Sequence, residues 1–223
     1  MNIPGRKNDD FPRLARNYSM DTDWYEFMMD DTYALCEEDN VEVTFDIFFR
    51  EVPNNGGYAV MAGNDLLIEF VKNLNYTERD IEYLRKKGLS EKVLEKMKNL
   101  KFTGTIKAIP DGTPIFPNEP IVTITCPILQ ANLMEAPLVS LLNGAIEHAT
   151  AARIIVEATP DNVPIADFSL RRCPHPEDGM TASISALIAG FAATANTKVS
   201  EEYNLEPNKT MSCSSIRFKI IFF

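Results

Sequence analysis

A long apolar segment in the middle of the chain is the feature that most limits its fold. Residues from Gln130 to about Glu157 are rich in Ala and Leu, which predicts one bent helix or two consecutive helices. No run approaches the roughly 20 consecutive apolar residues that span a bilayer. We therefore expect this segment inside a globular fold, with no membrane partner.

The N-terminal part alternates helical and strand patterns. Residues 1–20 are polar and contain prolines, which predicts a flexible leader. A helix is expected from Asp21, with Asp21 or Thr22 as its N-cap. Residues 41–49 then alternate apolar and polar side chains, the pattern of a half-buried strand. Its inward side chains would be Val41, Val43, Phe45, Ile47 and Phe49.

Further elements follow at regular intervals. A helix is predicted from about Asn64 to Leu74. Two short helices are expected next. Thr77 caps the first and Gly88 ends it, and the second begins at Ser90. Residues 103–126 are predicted to be rich in β-structure. Residues 164–170 form a short apolar run typical of a buried strand. Residues 180–197 predict a helix whose small side chains suit close packing on a sheet.

These patterns predict a fold in three parts: the flexible leader at residues 1–20, an α+β N-terminal domain at residues 21–160, and the start of an incomplete α/β (TIM-like) barrel at residues 161–223. The order of strand and helix in the last part is that of the first unit of such a barrel. An eight-stranded barrel needs on the order of 250 residues. We therefore expect the chain to end before a barrel is complete.

Composition narrows the classes of function. The chain of 223 residues has 22 Lys and Arg against 32 Asp and Glu, a net charge of −10, which disfavours nucleic acid as a partner. Its four cysteines form no C-x-x-C pair, which argues against a zinc site and a disulfide framework and fits a reducing, cytoplasmic compartment. No metal site is predicted. The two histidines, His148 and His175, show no spacing suited to a shared metal ion.

One local feature points to a ligand. Arg171 and Arg172 follow the predicted strand at residues 164–170, and ligands bind at the carboxyl ends of strands in parallel α/β folds. A guanidinium group suits a carboxylate or phosphate, and Phe168 offers a ring for stacking. The alternative is that the two arginines are ordinary surface charges that face solvent and bind no ligand. The residues alone leave both interpretations open.

An ordered series of motifs resembles the nicotinate phosphoribosyltransferase family. The series runs from about Asp21 to Cys213 and comprises Thr22-Asp23-Trp24-Tyr25 for T-D-x-Y, Phe48-Phe49-Arg50 with Pro53 for F-F-R-x-x-P, Gly57-Tyr58, Ala62-Gly63, Ile109 to Pro114, Phe116 to Pro120, Ala151-Ala152-Arg153, and Phe168 to Arg172 for F-G-x-R-R. Each motif is weak alone, but their order is specific.

The resemblance implies formation of nicotinate mononucleotide from nicotinate and phosphoribosyl pyrophosphate in NAD biosynthesis. It also implies Mg²⁺ on the pyrophosphate and ATP hydrolysis through a phosphorylated histidine. Phe168 and Tyr25 would sandwich the pyridine ring, and Arg171 and Arg172 would hold the nicotinate carboxylate and a phosphate. Arg50 would contact phosphate. Asp23 and Thr194 complete the implied substrate-binding residues.

The same resemblance implies a homodimer, because T-D-x-Y and F-F-R reach the site of a neighbouring subunit. The local alternatives are that Tyr25 is a core residue, that Arg50 is a solvated charge at a strand end, and that Asp23 only stabilises a helix N-terminus. Arg153 and Glu135 would be ordinary helix-surface charges. The Arg171-Arg172 pair favours nicotinate over nicotinamide.

Departures from the family pattern concentrate near the C-terminus. Ser169 replaces a glycine, Thr150 replaces a lysine, and the acidic residue of G-G-F-D-G-T-S-N is missing from residues 189–196. Cys213 stands where the phosphorylated histidine is expected, and a thiol does not reproduce imidazole chemistry at neutral pH. Cys213 therefore argues against ATP coupling, and we expect the chain alone to be inactive because its barrel is incomplete. The alternative hypothesis is a non-catalytic remnant that pairs with a full-length subunit and modulates it.

Overall fold

The computed structural model describes residues 17–52 and 56–206. The described helices are α1 (Trp24–Cys36), α2 (Asn64–Asn73), α3 (Glu78–Lys86), α4 (Glu91–Lys98), α5 (Ile128–Glu157), α6 (Pro176–Ala189) and α7 (Thr197–Glu202). The described strands are β1 (Glu42–Ile47), β2 (Ala59–Val60), β3 (Thr105–Ala108), β4 (Pro114–Ile115), β5 (Val122–Pro127), β6 (Ala166–Asp167) and β7 (Ala193–Thr194). The fold is therefore a mixed arrangement of α and β elements.

A three-stranded antiparallel sheet in the order β1-β5-β3 forms one side of the molecule. β1 pairs with β5 along its whole length, from Glu42 opposite Pro127 to Ile47 opposite Val122. Alternate residues of both strands are withdrawn from solvent, because one face of the sheet packs on the core. The strand and the β-rich block expected from the sequence are confirmed, although Val41 is exposed and precedes β1.

Helix α5 is the centre of the fold. It is one continuous helix of 30 residues, with Pro137 buried in its interior, so the single-helix alternative is correct. Its N-terminal half packs beneath the sheet, where Met134, Leu138 and Leu142 join the main apolar core. Because α5 contacts α1, α2, α6 and the sheet, its apolar length is covered on several sides.

The shorter helices follow their capping signals. Thr77 forms a capping box with Asp80 at the start of α3, and Gly88 adopts a positive φ of 101° just after that helix, where a residue without Cβ is favoured. Ser90 is the N-cap of α4, as expected. The expected N-cap of α1 was wrong, because Asp23 occupies that position rather than Asp21 or Thr22.

The segment after α5 forms a parallel strand pair connected by a helix. β6 pairs with β7 in parallel, and α6 connects them. The predicted buried strand at residues 164–170 was too long, because only Ala166–Asp167 is a strand and Phe168 and Leu170 are exposed. The predicted helix at residues 180–197 was also misplaced. The observed helix begins at Pro176 and ends at Ala189, and the next residue, Gly190, has a φ of 117° that stops the helix.

Helix α6 packs mainly on α5 and makes a smaller contact with β7, which qualifies the expectation that its small residues pack closely on a sheet. Ala152 of α5 meets Ala186 and Ala189 of α6 in a small apolar cluster, since alanines allow two helices to approach closely. A second cluster joins Ala145 and Ala149 of α5 to Ile184 and Ile188 of α6. The predicted boundary near residue 160 therefore separates elements that share a core.

The last residues of the predicted leader belong to the fold. Asn17 donates to the backbone oxygen of Asn75, and Ser19 is fully buried and accepts from the backbone N–H of Asn75. Residues 17–20 are thus part of the packed structure, whereas residues 1–16 lie outside the described residues. Among the helices of the described ranges, none combines the length and apolar character needed to cross a bilayer.

Candidate functional site

The predicted recognition residues Phe168, Arg171 and Arg172 lie on one tight turn. The turn follows β6 directly and contains a short 3-10 helix, Leu170–Arg172, closed by a hydrogen bond of 2.6 Å from the N–H of Arg172 to the oxygen of Ser169. Phe168 is 42% exposed, and both arginines are exposed as well. Within the described part of the chain, neither guanidinium forms an ion pair, so both stay open to an anion.

A buried carboxylate underlies this turn. Asp167 is 4% exposed, and its Oδ1 accepts the N–H of Ser169 at 2.8 Å. Its Oδ2 accepts the hydroxyl of Thr194 at 2.8 Å. Burial pushes the pKa of Asp167 upward, but hydrogen bonds from Ser183, Ser169 and Thr194 outweigh burial and hold that pKa below its ordinary value. Asp167 is therefore ionised at neutral pH.

Thr194, predicted as a substrate contact, is fully buried. Besides donating to Asp167, its hydroxyl accepts the N–H of Asn196 at 3.0 Å. Asn196 caps α7 through the N–H groups of Lys198 and Val199. Direct contact of Thr194 with substrate stays a prediction, while the structure shows it holding Asp167 in place.

Two details explain how the turn tolerates its sequence. Ser169, which replaces the family's glycine, has φ −74° and ψ −25°, so this position requires no left-handed backbone. Gly179 of α6 lies under the turn, and a Cβ there would meet Cδ1 of Leu170 at 2.5 Å. The absence of a side chain at Gly179 lets the turn pack on α6.

The predicted residues of α1 lie on its outer side. Asp23 is exposed and makes no side-chain capping bond. Tyr25 is 55% exposed, so it is not a core residue. Its hydroxyl hydrogen-bonds to Glu26, which raises the pKa of Tyr25 to about 12. The negative charges of Asp23 and Glu135 also raise the pKa of Tyr25. Tyr25 is therefore influenced electrostatically by Glu135, which lies on α5.

Arg50 lies beside a groove between β1 and α5. The groove has a volume of about 280 Å³ and is bordered by Phe48, Glu135 and Val139 at its surface and by core side chains beneath them. Arg50 and Glu135 face this groove with opposite charges. Glu135 therefore links the groove at Arg50 with Tyr25 on α1.

The predicted sandwich of the pyridine ring uses two exposed side chains, Tyr25 and Phe168, that lie on different elements. Among the described residues, no hydrogen bond or ring contact connects Tyr25 with Phe168. Two rings on either side of a ligand make no direct contact with each other, so the sandwich of the pyridine ring stays a prediction. Arg153 is the helix-surface charge expected as an alternative, because it pairs with Glu157 at 3.2 Å.

Thr150 shows how one departure from the family pattern is accommodated. Its buried hydroxyl accepts the N–H of Val60 at 3.0 Å and donates to the oxygen of Ile146 at 2.7 Å. These bonds tie β2 to α5. The threonine therefore has a structural role in this chain.

The described residues offer no cluster of side chains that could hold a metal ion. Across residues 17–52 and 56–206, no group of three His, Cys, Asp or Glu side chains is arranged to hold a metal ion. Mg²⁺ in nucleotide enzymes is held largely by substrate phosphates, so its site stays a prediction. Cys213 lies outside the described residues.

Comparison with known proteins decides the family. A model of the nicotinate phosphoribosyltransferase (NAPRTase) N-terminal domain matches residues 20–143, which is more than half of the chain. The chain belongs to the nicotinate phosphoribosyltransferase family. This confirms the resemblance, including its assignment to the N-terminal portion.

Relatives of this family align over most of the chain. Nicotinate phosphoribosyltransferase of Caenorhabditis elegans is 32% identical over 199 residues, covering 87% of this chain and 35% of the relative. The Bacillus subtilis enzyme is 33% identical over 193 residues, covering 86% of this chain and 39% of the relative. The chain thus spans well under half the length of these relatives.

Solved structures agree with the fold. The crystal structure of human nicotinic acid phosphoribosyltransferase matches with a TM-score of 0.80 and 27% identity, covering 88% of this chain and 40% of the human chain. The nicotinate-nucleotide pyrophosphorylase from Pyrococcus furiosus matches with a TM-score of 0.70 at 20% identity, covering 96% of this chain and 47% of that protein. At that identity the second match speaks for the fold alone.

Sequence reasoning missed Asp167. The residue was visible directly before Phe168, but nothing in the pattern separated a buried anion from a solvated one. Its role depends on Thr194, which lies 27 residues later and becomes its neighbour only through the parallel pairing of β6 and β7.

Proposed function

We propose that this chain is the N-terminal portion of a nicotinate phosphoribosyltransferase, which forms nicotinate mononucleotide from nicotinate and phosphoribosyl pyrophosphate in NAD biosynthesis. The family membership and the names of its relatives support the reaction. The single observation that carries it is the exposed turn after β6, which presents an aromatic ring and two guanidinium groups that form no ion pair with any described residue.

The chemistry suits these residues. Nicotinate is an anionic aromatic ring, and the planar fork of Arg171 or Arg172 matches its carboxylate, while Phe168 stacks on the pyridine. Displacement at the anomeric carbon passes through a cationic, oxocarbenium-like state. The protein therefore contributes mainly by orienting the ring nitrogen and neutralising the leaving pyrophosphate. The second arginine and Arg50 would supply positive charge for that group.

The proposed site is shared between two subunits. Tyr25 and Arg50 are both exposed, and the family resemblance assigns them to the site of a neighbouring subunit. In a homodimer, Asp23, Tyr25 and Arg50 of one protomer would complete the site around the 168–172 turn of the other. The exposed apolar side chains of α1, including Trp24 and Met28, support such a contact.

The β6-α6-β7 unit would be the start of an α/β barrel. Two parallel strands joined by a helix are the repeating unit of that fold, and a turn at the carboxyl end of β6 is where a barrel places ligands. Mg²⁺ would bind the pyrophosphate and ATP would drive turnover in the whole enzyme.

A radiolabelled nicotinate assay tests the proposal. The chain is incubated with nicotinate and phosphoribosyl pyrophosphate, with and without ATP, as wild type, Arg171→Ala and Arg79→Ala. Arg79 is an exposed arginine on α3 and serves as the matched control. We expect the loss of Arg171 to lower nicotinate binding, and any turnover, at least about tenfold, with Arg79→Ala unchanged. Equal values for wild type and Arg171→Ala would remove Arg171 from its role.

A second candidate is a non-catalytic partner of a full-length subunit. The exposed apolar residues on α1 and the exposed Phe48 favour pairing even without chemistry. Co-purification of this chain with a full-length family member, without turnover by the chain itself, would favour this candidate. Turnover by the purified chain would exclude it.

A further inference from the structure

We propose that Asp167 is a positioning residue that fixes the turn carrying Phe168, Arg171 and Arg172 in its binding conformation. The inference rests on the proposed function, since it assigns a purpose to the geometry of that turn. Asp167 does not face the ligand itself. It acts through the backbone of Ser169 and through Thr194.

The first step is the connection between Asp167 and the turn. One carboxylate oxygen accepts the N–H of Ser169 at 2.8 Å, which fixes the backbone where the chain leaves β6. The oxygen of Ser169 then accepts the N–H of Arg172 at 2.6 Å and the thiol of Cys173 at 3.5 Å. The position of Ser169 therefore determines where the backbone places Arg171 and Arg172.

The second step is the connection between Asp167 and the rest of the fold. Its other oxygen accepts the hydroxyl of Thr194, its Cα partner across the parallel pair. The backbone oxygen of Asp167 accepts the N–H of Ala195 at 2.8 Å. Asn196 extends the network to α6, through the oxygen of Gly179 and the hydroxyl of Ser183, both at 3.4 Å. The turn is thereby tied to β7, α6 and the start of α7.

The third step is electrostatic. The groups that hold Asp167 ionised are hydroxyl and amide donors rather than a cation. An anion held only by neutral donors is stable when every donor is in place. Removing one donor weakens the others, so Asp167 and Thr194 act as a unit. No cation pairs with Asp167 among residues 17–52 and 56–206, and burying a carboxylate without such a partner costs free energy, which points to a requirement for a fixed turn rather than for stability alone.

Amide hydrogen exchange of the full chain tests the inference directly. The variants are Asp167→Ala, which removes both acceptor oxygens, Thr194→Val, the conservative Thr194→Ser, and Asp161→Asn as an exposed control in the preceding loop. We expect Asp167→Ala and Thr194→Val to accelerate exchange at the Ser169 amide at least about tenfold. Thr194→Ser keeps the hydroxyl and should restore the wild-type rate, and exchange in β1 should not change.

Nicotinate affinity, measured on the same samples, separates this inference from the proposed function. With both correct, Asp167→Ala and Thr194→Val weaken binding while Thr194→Ser and Asp161→Asn retain it. An unchanged Ser169 amide in folded Asp167→Ala would overturn the inference. If Asp167→Ala fails to fold, the Thr194→Val and Thr194→Ser pair decides in the same way. A wild-type chain that binds no nicotinate would overturn the proposed function, and the exchange rates would still show whether Asp167 fixes the turn.

Discussion

Asn132 of α5 donates its side-chain amide to the buried carboxyl of Asp30 on α1, with a nitrogen to oxygen distance of 2.9 Å. Asp30 is fully buried, and its second oxygen has no hydrogen-bond partner among the described residues. Burial raises the pKa of Asp30 to about 8, against a smaller lowering by Asn132, and the nearby charges of Glu26 and Asp39 raise it further. The helix that carries Asp23 and Tyr25 is therefore docked through a carboxyl that prefers to be neutral.

This pairing predicts a specific dependence of stability on pH. Because the folded-state pKa is raised, the contribution of Asp30 to stability is fully present below its unfolded pKa and is lost as the pH rises through about 8. Asp30→Asn keeps the acceptor for Asn132 and removes the titration. We expect this variant to be more stable than wild type at pH 9 by on the order of a few kcal/mol, and similar to it near pH 4.

Urea unfolding at several pH values measures this effect. Glu38→Gln, which changes an exposed carboxyl shortly after α1, is the control and should keep the wild-type pH dependence. The same slope of stability against pH in Asp30→Asn as in wild type would show that Asp30 does not titrate as described.

Replacing glycine by alanine is expected to change the stability of the protein in opposite directions at Gly104 and at Gly144. A Cβ on Gly104 would meet the backbone oxygen of Thr125 at 2.3 Å and Cβ of Cys126 at 2.5 Å, whereas a Cβ on Gly144 meets nothing within 4 Å. Gly104→Ala should therefore destabilise the sheet by about 1–3 kcal/mol. Gly144→Ala, inside α5, should stabilise the protein by about 0.5–1 kcal/mol. Thermal unfolding of the two variants checks both signs.

Adjacent residues of α5 test the position of the core. Leu138 is completely buried in the main core, while Val139 is 45% exposed beside the groove. Leu138→Ala should cost about 2–5 kcal/mol of unfolding free energy, because it removes buried apolar contacts and leaves a cavity. Val139→Ala should change it by less than about 1 kcal/mol. Similar losses in both variants would mean that α5 faces the sheet with a different side.

Local chemistry explains which elements could be predicted from the sequence. The alternation in β1, the capping box of Thr77 and the turn at Gly88 each act over a few residues, so their structure can be deduced from the sequence alone. The end of α6 was misjudged because Ala and Thr residues continue past Gly190, whereas the backbone of Gly190 ends the helix. The length of β6 was misjudged because apolar residues such as Phe168 and Leu170 are exposed on a turn.

The site was predictable only in part, and for a related reason. The Arg171-Arg172 pair and Phe168 are contiguous in the sequence, so their association needed no knowledge of the fold. Their support by Asp167 and Thr194 depends on a parallel pairing that no local pattern reveals. The buried state of Thr194 likewise follows from tertiary packing, so its bond to Asp167 could not be foreseen, while its contact with substrate stays a prediction.

Recognition of an anionic pyridine by the 168–172 turn is the central claim, and a binding titration tests it most directly. Backbone amide resonances of the full chain are followed while nicotinate, or the uncharged nicotinamide, is added to wild type and to Arg171→Ala. We expect nicotinate to shift the amides of residues 168–172 in wild type, with an affinity at least about tenfold above that for nicotinamide, and we expect Arg171→Ala to abolish this difference. Shifts confined to other parts of the chain, or equal responses to the two ligands in wild type, would contradict the claim.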